Sequence, residues 1–300
     1  MNPERPTRPC SAGGPVARVL AVIVMVSTFV PAGATAAWAH AGGLSSSASE
    51  ARVLAVEPAV PGLAVDAVEF GARLRLTNGT DRQVSVGQRV VGPGEQLIWT
   101  EPRVVAAAAS DRPPEGRSEW TVPLLVDGQQ VLVRGERYWP PAPPAWMWFG
   151  LAAALAVGIG VAGAIGAKRL RGRALLASAT LVGVLAHLMH VLGSAGVPAD
   201  QSYLVMVLSA AGFALLGWPL GITGAVLALR RNPAGPLLCV AAGGLFAIVI
   251  VPVDAFTLVD AVVPFSWGAD LDRVLVVLTL GAGLGAVAAG MAALRRGDHD

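Results

Sequence analysis

Five long apolar stretches constrain this chain more than anything else in it: Trp146–Ala167, Ala174–Ala195, Tyr203–Leu229, Pro236–Leu258 and Val274–Leu294. At a rise of about 1.5 Å per residue, each is long enough to cross the hydrocarbon core of a bilayer as a helix. A bilayer has no water for unpaired backbone groups, and a helix satisfies its own N–H and C=O groups. With 54% hydrophobic and only 14% charged residues, the chain is too apolar for an ordinary soluble protein. The expected membrane part is an all-α five-helix transmembrane bundle.

The charges orient it. Lys168, Arg169, Arg171 and Arg173 follow the first stretch, Arg230 and Arg231 the third, Arg295 and Arg296 the fifth. Short basic loops stay in the cytoplasm, so all three clusters are cytoplasmic if the chain before Trp146 lies outside. Residues 295–300 are then a cytoplasmic tail. The amino terminus gives the same answer independently. Arg5, Arg8 and Arg18 accompany the apolar run Val19–Val30, which Pro31 and Gly33 break before small residues follow. Residues 1–39 thus read as an export signal, with cleavage after Ala36 or after Ala39. The second cut would leave His40 as the mature amino terminus, offering an amine and an imidazole to one metal ion. The expected localisation is a multi-pass cell-membrane protein with an extracytoplasmic amino-terminal domain.

Between the leader and the bundle, residues 40–50 form a Ser-containing spacer, and 51–137 hold short β-prone runs separated by turn signals. Asn78-Gly79 and Asp127-Gly128 are hairpin candidates. Seven or eight such runs in so short a span predict an all-β, sandwich-like domain. Residues 138–145 are a Pro-rich linker. Trp139, Trp146 and Trp148 are expected as an interfacial aromatic belt. The two cysteines, Cys10 in the leader and Cys239 in an apolar helix, supply no disulfide framework. No Ser/His/Asp or Cys/His set stands in the β region, so no enzyme is expected. The absence of a basic stripe or aromatic platform argues against nucleic acid.

Ionisable residues inside a membrane are costly and usually face a protein interior or a polar cavity. Here they are His187, His190 and Asp254. The histidines are three apart and share one helix face. The second and fourth stretches both run outward, which places His190 about 8 Å and Asp254 about 6 Å below their outer ends. Met206 begins the third stretch at the same level. Two imidazoles, a carboxylate and a thioether can ligate a transition metal, with Met favouring Cu(I). The candidate metal ligands are therefore His187, His190, Asp254 and Met206, with His40 as a receiving group. A proton-responsive His–Asp pair is a second reading. Polar residues simply hydrogen-bonded near the interface are a third. Two histidines on one face cannot ligate one haem from opposite sides. Gly158, Gly160, Gly163 and Gly166, and Gly281, Gly283, Gly285 and Gly290, predict close helix packing, and Pro219 predicts a kink in the third helix.

The chain resembles a group of actinobacterial membrane proteins associated with copper-resistance CopC/CopD-type systems. The resemblance rests on His40-Ala41-Gly42-Gly43, on Glu57-Pro58-Ala59-Val60-Pro61-Gly62-Leu63 and on Leu74-Arg75-Leu76-Thr77-Asn78. It extends to Val122-Pro123-Leu124-Leu125-Val126-Asp127-Gly128 ahead of Trp139-Pro140-Pro141. Val86–Gly92 stands where relatives carry a Gly-Tyr and Glu-Pro-Tyr segment. The resemblance implies an association with copper handling rather than a defined reaction. Two functions are thus expected for this multidomain membrane protein. One is an accessory role in copper or other transition-metal handling, with copper as the bound ion and metal-handling proteins as partners. The other is a non-enzymatic envelope protein whose β domain binds a protein partner while the helices, set in the lipid bilayer, anchor it. A transporter is a weaker alternative, because no clear inverted repeat is present.

Overall fold

The computed structural model describes residues 43–105, 109–166 and 169–297. The expected export signal, residues 1–39, and His40 lie outside them. Eight strands come first: β1 (Glu50–Glu57), β2 (Leu63–Val68), β3 (Arg73–Asn78), β4 (Val84–Val86), β5 (Arg89–Val91), β6 (Gln96–Trp99), β7 (Arg117–Val126) and β8 (Gln129–Tyr138). They form a five-stranded sheet, β1-β8-β7-β4-β5, and a three-stranded sheet, β2-β3-β6.

Period-two alternation builds the shared core. Leu74 and Leu76 point inward from β3, and Trp120, Val122, Leu124 and Val126 from β7. These side chains join Val131 and Val133 of β8 in one apolar cluster drawn from both sheets. The Asp127-Gly128 step closes the β7–β8 hairpin with both residues at positive φ, 47° and 78°, as a two-residue turn with the right twist requires. In that hairpin Trp120 lies opposite Gly135, where a Cβ would collide with the indole ring.

The other expected hairpin does not form. β3 pairs with β2 and β6, whereas β4 pairs with β5 and β7, so Asn78-Gly79 carries the chain from one sheet to the other. The Asn78 side chain makes that corner. Its amide donates to the carbonyls of Arg82, Val91 and Gly92 at 2.8–3.0 Å. Its oxygen accepts from the Thr80 N–H and hydroxyl. Gly79 donates to the Gly62 carbonyl at 2.7 Å. An Asn-Gly pair signals a turn, but the long-range partners of its side chain decide which strands it joins.

Trp139 is buried at the end of the β region, beneath the Arg137 guanidinium, and so is no part of an aromatic belt. Trp146, by contrast, is exposed, and Trp148 packs on the bundle.

The helical part comprises α1 (Ala145–Gly166), α2 (Leu170–Ala195), α3 (Tyr203–Ala211), α4 (Ala214–Leu229), α5 (Ala234–Gly244), α6 (Val251–Asp254) and α7 (Ala269–Gly297). A π-helical run, Leu245–Ile250, links α5 to α6. Four helical segments are long and apolar enough to cross a membrane: Ala145–Gly166, Leu170–Ala195, Ala234–Leu258 and Ala269–Arg296. The expected third span is broken: α3 and α4 meet at 71°. The break falls at Gly212 (φ 44°, ψ −122°), a conformation natural only to glycine, while Pro219 sits within α4. The glycines do permit close packing. A Cβ on Gly243 would stand 2.6 Å from the Gly283 carbonyl oxygen, and one on Gly285 would stand 2.6 Å from Ile159.

The two parts are docked. Ser47 and Val262 exchange both backbone hydrogen bonds at 2.9 Å, and the Ser46 hydroxyl donates to Asp260 at 2.7 Å. Arg73 pairs with Asp200 at 2.7 Å and with Glu69, which also accepts the Ala199 N–H at 2.9 Å. Residues 196–202 and 259–268 therefore lie on the same side as the β strands.

Candidate functional site

Beneath that docked surface, two imidazoles and two carboxylates meet inside the bundle. His187 and His190 come from one face of α2, Asp254 from the end of α6, and Asp272 from the first turn of α7. All four side chains are nearly inaccessible. A π-helical run shifts the helical phase by roughly one residue, about 100° of rotation. The Leu245–Ile250 run does this just before Asp254.

His190 is the hub. Its Nδ1 lies 2.6 Å from Asp272 Oδ1 and its Nε2 lies 3.5 Å from Asp254 Oδ1. His187 Nε2 faces the other oxygen of Asp254 at 4.0 Å. The Trp218 indole N–H reaches His187 Nδ1 at 3.3 Å. An indole nitrogen only donates, so His187 Nδ1 accepts, and the hydrogen of a neutral His187 is on Nε2, toward Asp254. Phe246 lies 5.3 Å from the His187 ring centroid, and Phe265 stacks on His190 at 6.1 Å. Aromatic rings thus flank both imidazoles.

Hydrogen counting shows what the arrangement can do. A neutral imidazole carries one N–H. If that hydrogen serves the short contact to Asp272, Nε2 of His190 presents a lone pair to the carboxylate of Asp254. One added proton, on either atom, turns that opposition into a hydrogen bond. Beside it, Asp272 Oδ2 is buried without a hydrogen-bond partner among the described residues.

The structure thus brings His187, His190 and Asp254 together. Met206 is elsewhere: it packs against Ala195 in a separate apolar cluster with Val207 and Ala210. Among the described residues, no group of three or more His, Cys, Asp or Glu is arranged to hold a metal ion. His40 lies outside those residues.

Asp272, Trp218 and Arg273 escaped the sequence reading. Asp272 sits in an Asp-Leu-Asp-Arg segment, whose polarity placed it in a loop and set the start of the last span at Val274. In the structure the helix begins at Ala269, and Arg273 is buried too. Its guanidinium binds the carbonyls of Thr257 and Asp260 and the Asp270 carboxylate at 2.9–3.0 Å. Two acids in the first turn after Gly268, Asp270 and Asp272, were the available signal. Compared with family models, curated proteins and solved structures, the chain matches none.

Proposed function

We propose that this chain is a non-enzymatic, multi-pass cell-membrane protein whose bundle holds a proton-binding His–Asp centre beneath an extracytoplasmic, β-sandwich-like domain. One observation carries the reading: the His190 imidazole has a carboxylate at each ring nitrogen, in a site closed by aromatic rings. The covalent neighbour of Asp272 is Arg273, which holds the Asp260 carbonyl, and the Asp260 side chain accepts from Ser46. Two residues, Arg273 and Asp260, thus connect Asp272 of the centre to Ser46 of the β-domain contact.

The five-span topology has its own support. The segment after α2 contacts the β domain at Asp200, whereas the end of α4 shares a cavity with the start of α2 and the end of α7. These contacts support reading the bent α3–α4 pair as a broken fifth span. The basic clusters favour the cytoplasm for the far end.

The test is infrared difference spectroscopy of detergent-purified protein across pH. Asp254→Asn and Asp272→Asn assign the carboxylic C=O bands. The expected result is a titrating band that His190→Gln removes or shifts. No titrating carboxyl or imidazole while the protein stays folded would sink the proposal. The copper-handling alternative is decided on the same sample after copper loading. Stoichiometric copper, lost in His187→Ala/His190→Ala, would give the site to a metal.

A further inference from the structure

At the end of the bundle remote from the β domain, a cavity of about 360 Å³ opens between the start of α2, the end of α4, the start of α5 and the end of α7. Arg173, Arg231 and Asn232 supply its polar lining, and Leu176, Pro236 and Ala293 are among its apolar walls. Among the described residues, neither arginine has an ion-pair or hydrogen-bond partner for its guanidinium. No acid occurs in residues 146–199, 201–253 or 273–297, so no described stretch of helix bordering the cavity carries a carboxylate side chain.

Two further features set this cavity apart from a solvated basic surface. Arg231 has φ of +60°, and the N–H of Asn232 returns to the Leu227 carbonyl at 2.9 Å. This is the left-handed cap of a helix, where glycine is the residue without strain. A long cationic side chain held there, facing a cavity, points to a role that glycine cannot fill. The first turns of α2 and α5 also border the cavity, through Gly172 and Pro236, and present the positive ends of two helices to it. The shape is mixed: two cations and an amide at the rim, aliphatic walls within.

We propose that this cavity binds an anionic phospholipid, with its phosphate between Arg173 and Arg231 and the start of its chains against the apolar wall. A basic pocket between transmembrane helices is suited to such a headgroup, and bidentate guanidinium contacts suit its phosphate. Solvated charge alone would not need the apolar interior.

Native mass spectrometry of the full chain, released from micelles doped with phosphatidylglycerol or phosphatidylcholine, tests this. Phosphatidylglycerol is expected to be retained preferentially. The pair Arg173→Gln/Arg231→Gln should lower its retention about tenfold or more, as two charges near a membrane surface imply. The pair Arg171→Gln/Arg230→Gln, at the same end but outside the cavity lining, should leave retention unchanged. Arg231→Gly guards against misfolding, since glycine suits the backbone there: its melting temperature should equal or exceed that of the parent while lipid retention falls. Equal retention of phosphatidylcholine, or equal loss in the two double variants, overturns the proposal. Displacement of the lipid by millimolar inorganic phosphate, with the same dependence on Arg173 and Arg231, would assign the site to free phosphate and overturn the lipid assignment.

Discussion

The β domain and the helical bundle each bury a polar centre, and the two centres differ in saturation. Asn78, at the corner between the sheets, fills both amide donors with three carbonyls and its oxygen with two Thr80 donors. In the centre around His190, by contrast, Asp272 Oδ2 is buried with no hydrogen-bond partner among the described residues. A saturated centre can only hold the chain in place. An unsaturated one, made of groups that titrate, can change occupancy without unfolding. The polar residue in the sheet domain is thus a structural joint, and the polar residues in the bundle form the proposed proton-binding centre.

Four variants would break or sharpen that contrast. The largest effect belongs to Asn78→Ala, which strips partners from three carbonyls and a buried hydroxyl. It should destabilise the β domain by on the order of 4 kcal/mol in chemical denaturation, with the infrared titration of the bundle unchanged in whatever fraction remains folded. Gly135→Ala comes next, because its methyl group would enter the space of the Trp120 ring. A loss of about 2 kcal/mol, read from the same denaturation curve, is expected. A fully neutral result would mean that both the indole and the backbone carbonyl of Arg52, 2.4 Å from the added Cβ, can move aside.

Arg73→Ala probes the joint between the two regions. It leaves the buried Glu69 with the Ala199 N–H alone and frees Asp200. Docking should weaken by about 2 kcal/mol, visible as faster proteolysis near residues 196–202. Acid should do part of the same work. The Arg73 hydrogen bond holds the Asp200 carboxyl below its ordinary value of 3.8. Its contribution is therefore complete above that value and is lost as pH falls through the depressed one. Docking that loosens only near neutral pH would assign the sensitivity to another group.

The smallest stability effect is expected for Asp272→Asn, within about 1 kcal/mol, since the amide oxygen can still accept from His190 Nδ1. Its infrared signature should nonetheless differ from the parent. If Asp272→Asn were as damaging as Asn78→Ala and left the titration intact, the bundle centre would be a structural joint as well.

Much of the architecture was legible before any coordinates. Hydropathy located the helices, because a bilayer rewards runs of apolar residues whatever their neighbours. Alternation located the strands, because a half-buried sheet imposes a period of two. Asp127-Gly128 specified its hairpin locally, since the required positive φ values are a property of those two residues. Asn78-Gly79 misled, because its strand partners depend on carbonyls as distant as Val91 and Gly92.

Within the site, His187, His190 and Asp254 stood out by being ionisable in apolar surroundings. Asp272 did not, because a polar neighbourhood disguised a buried residue as a loop residue. Met206 matched in depth along the membrane normal, but depth says nothing about rotation around a helix.

The sequence by itself determined which segments are apolar, which strands alternate and where the charges fall, since each follows from a residue and its near neighbours. Only the tertiary structure decided that the third helix breaks at Gly212 rather than at Pro219. It also decided that Asp272 and Trp218 join the histidines while Met206 does not. Those outcomes depend on rotation about helix axes and on the approach of helices distant in the chain, which packing sets and local composition does not.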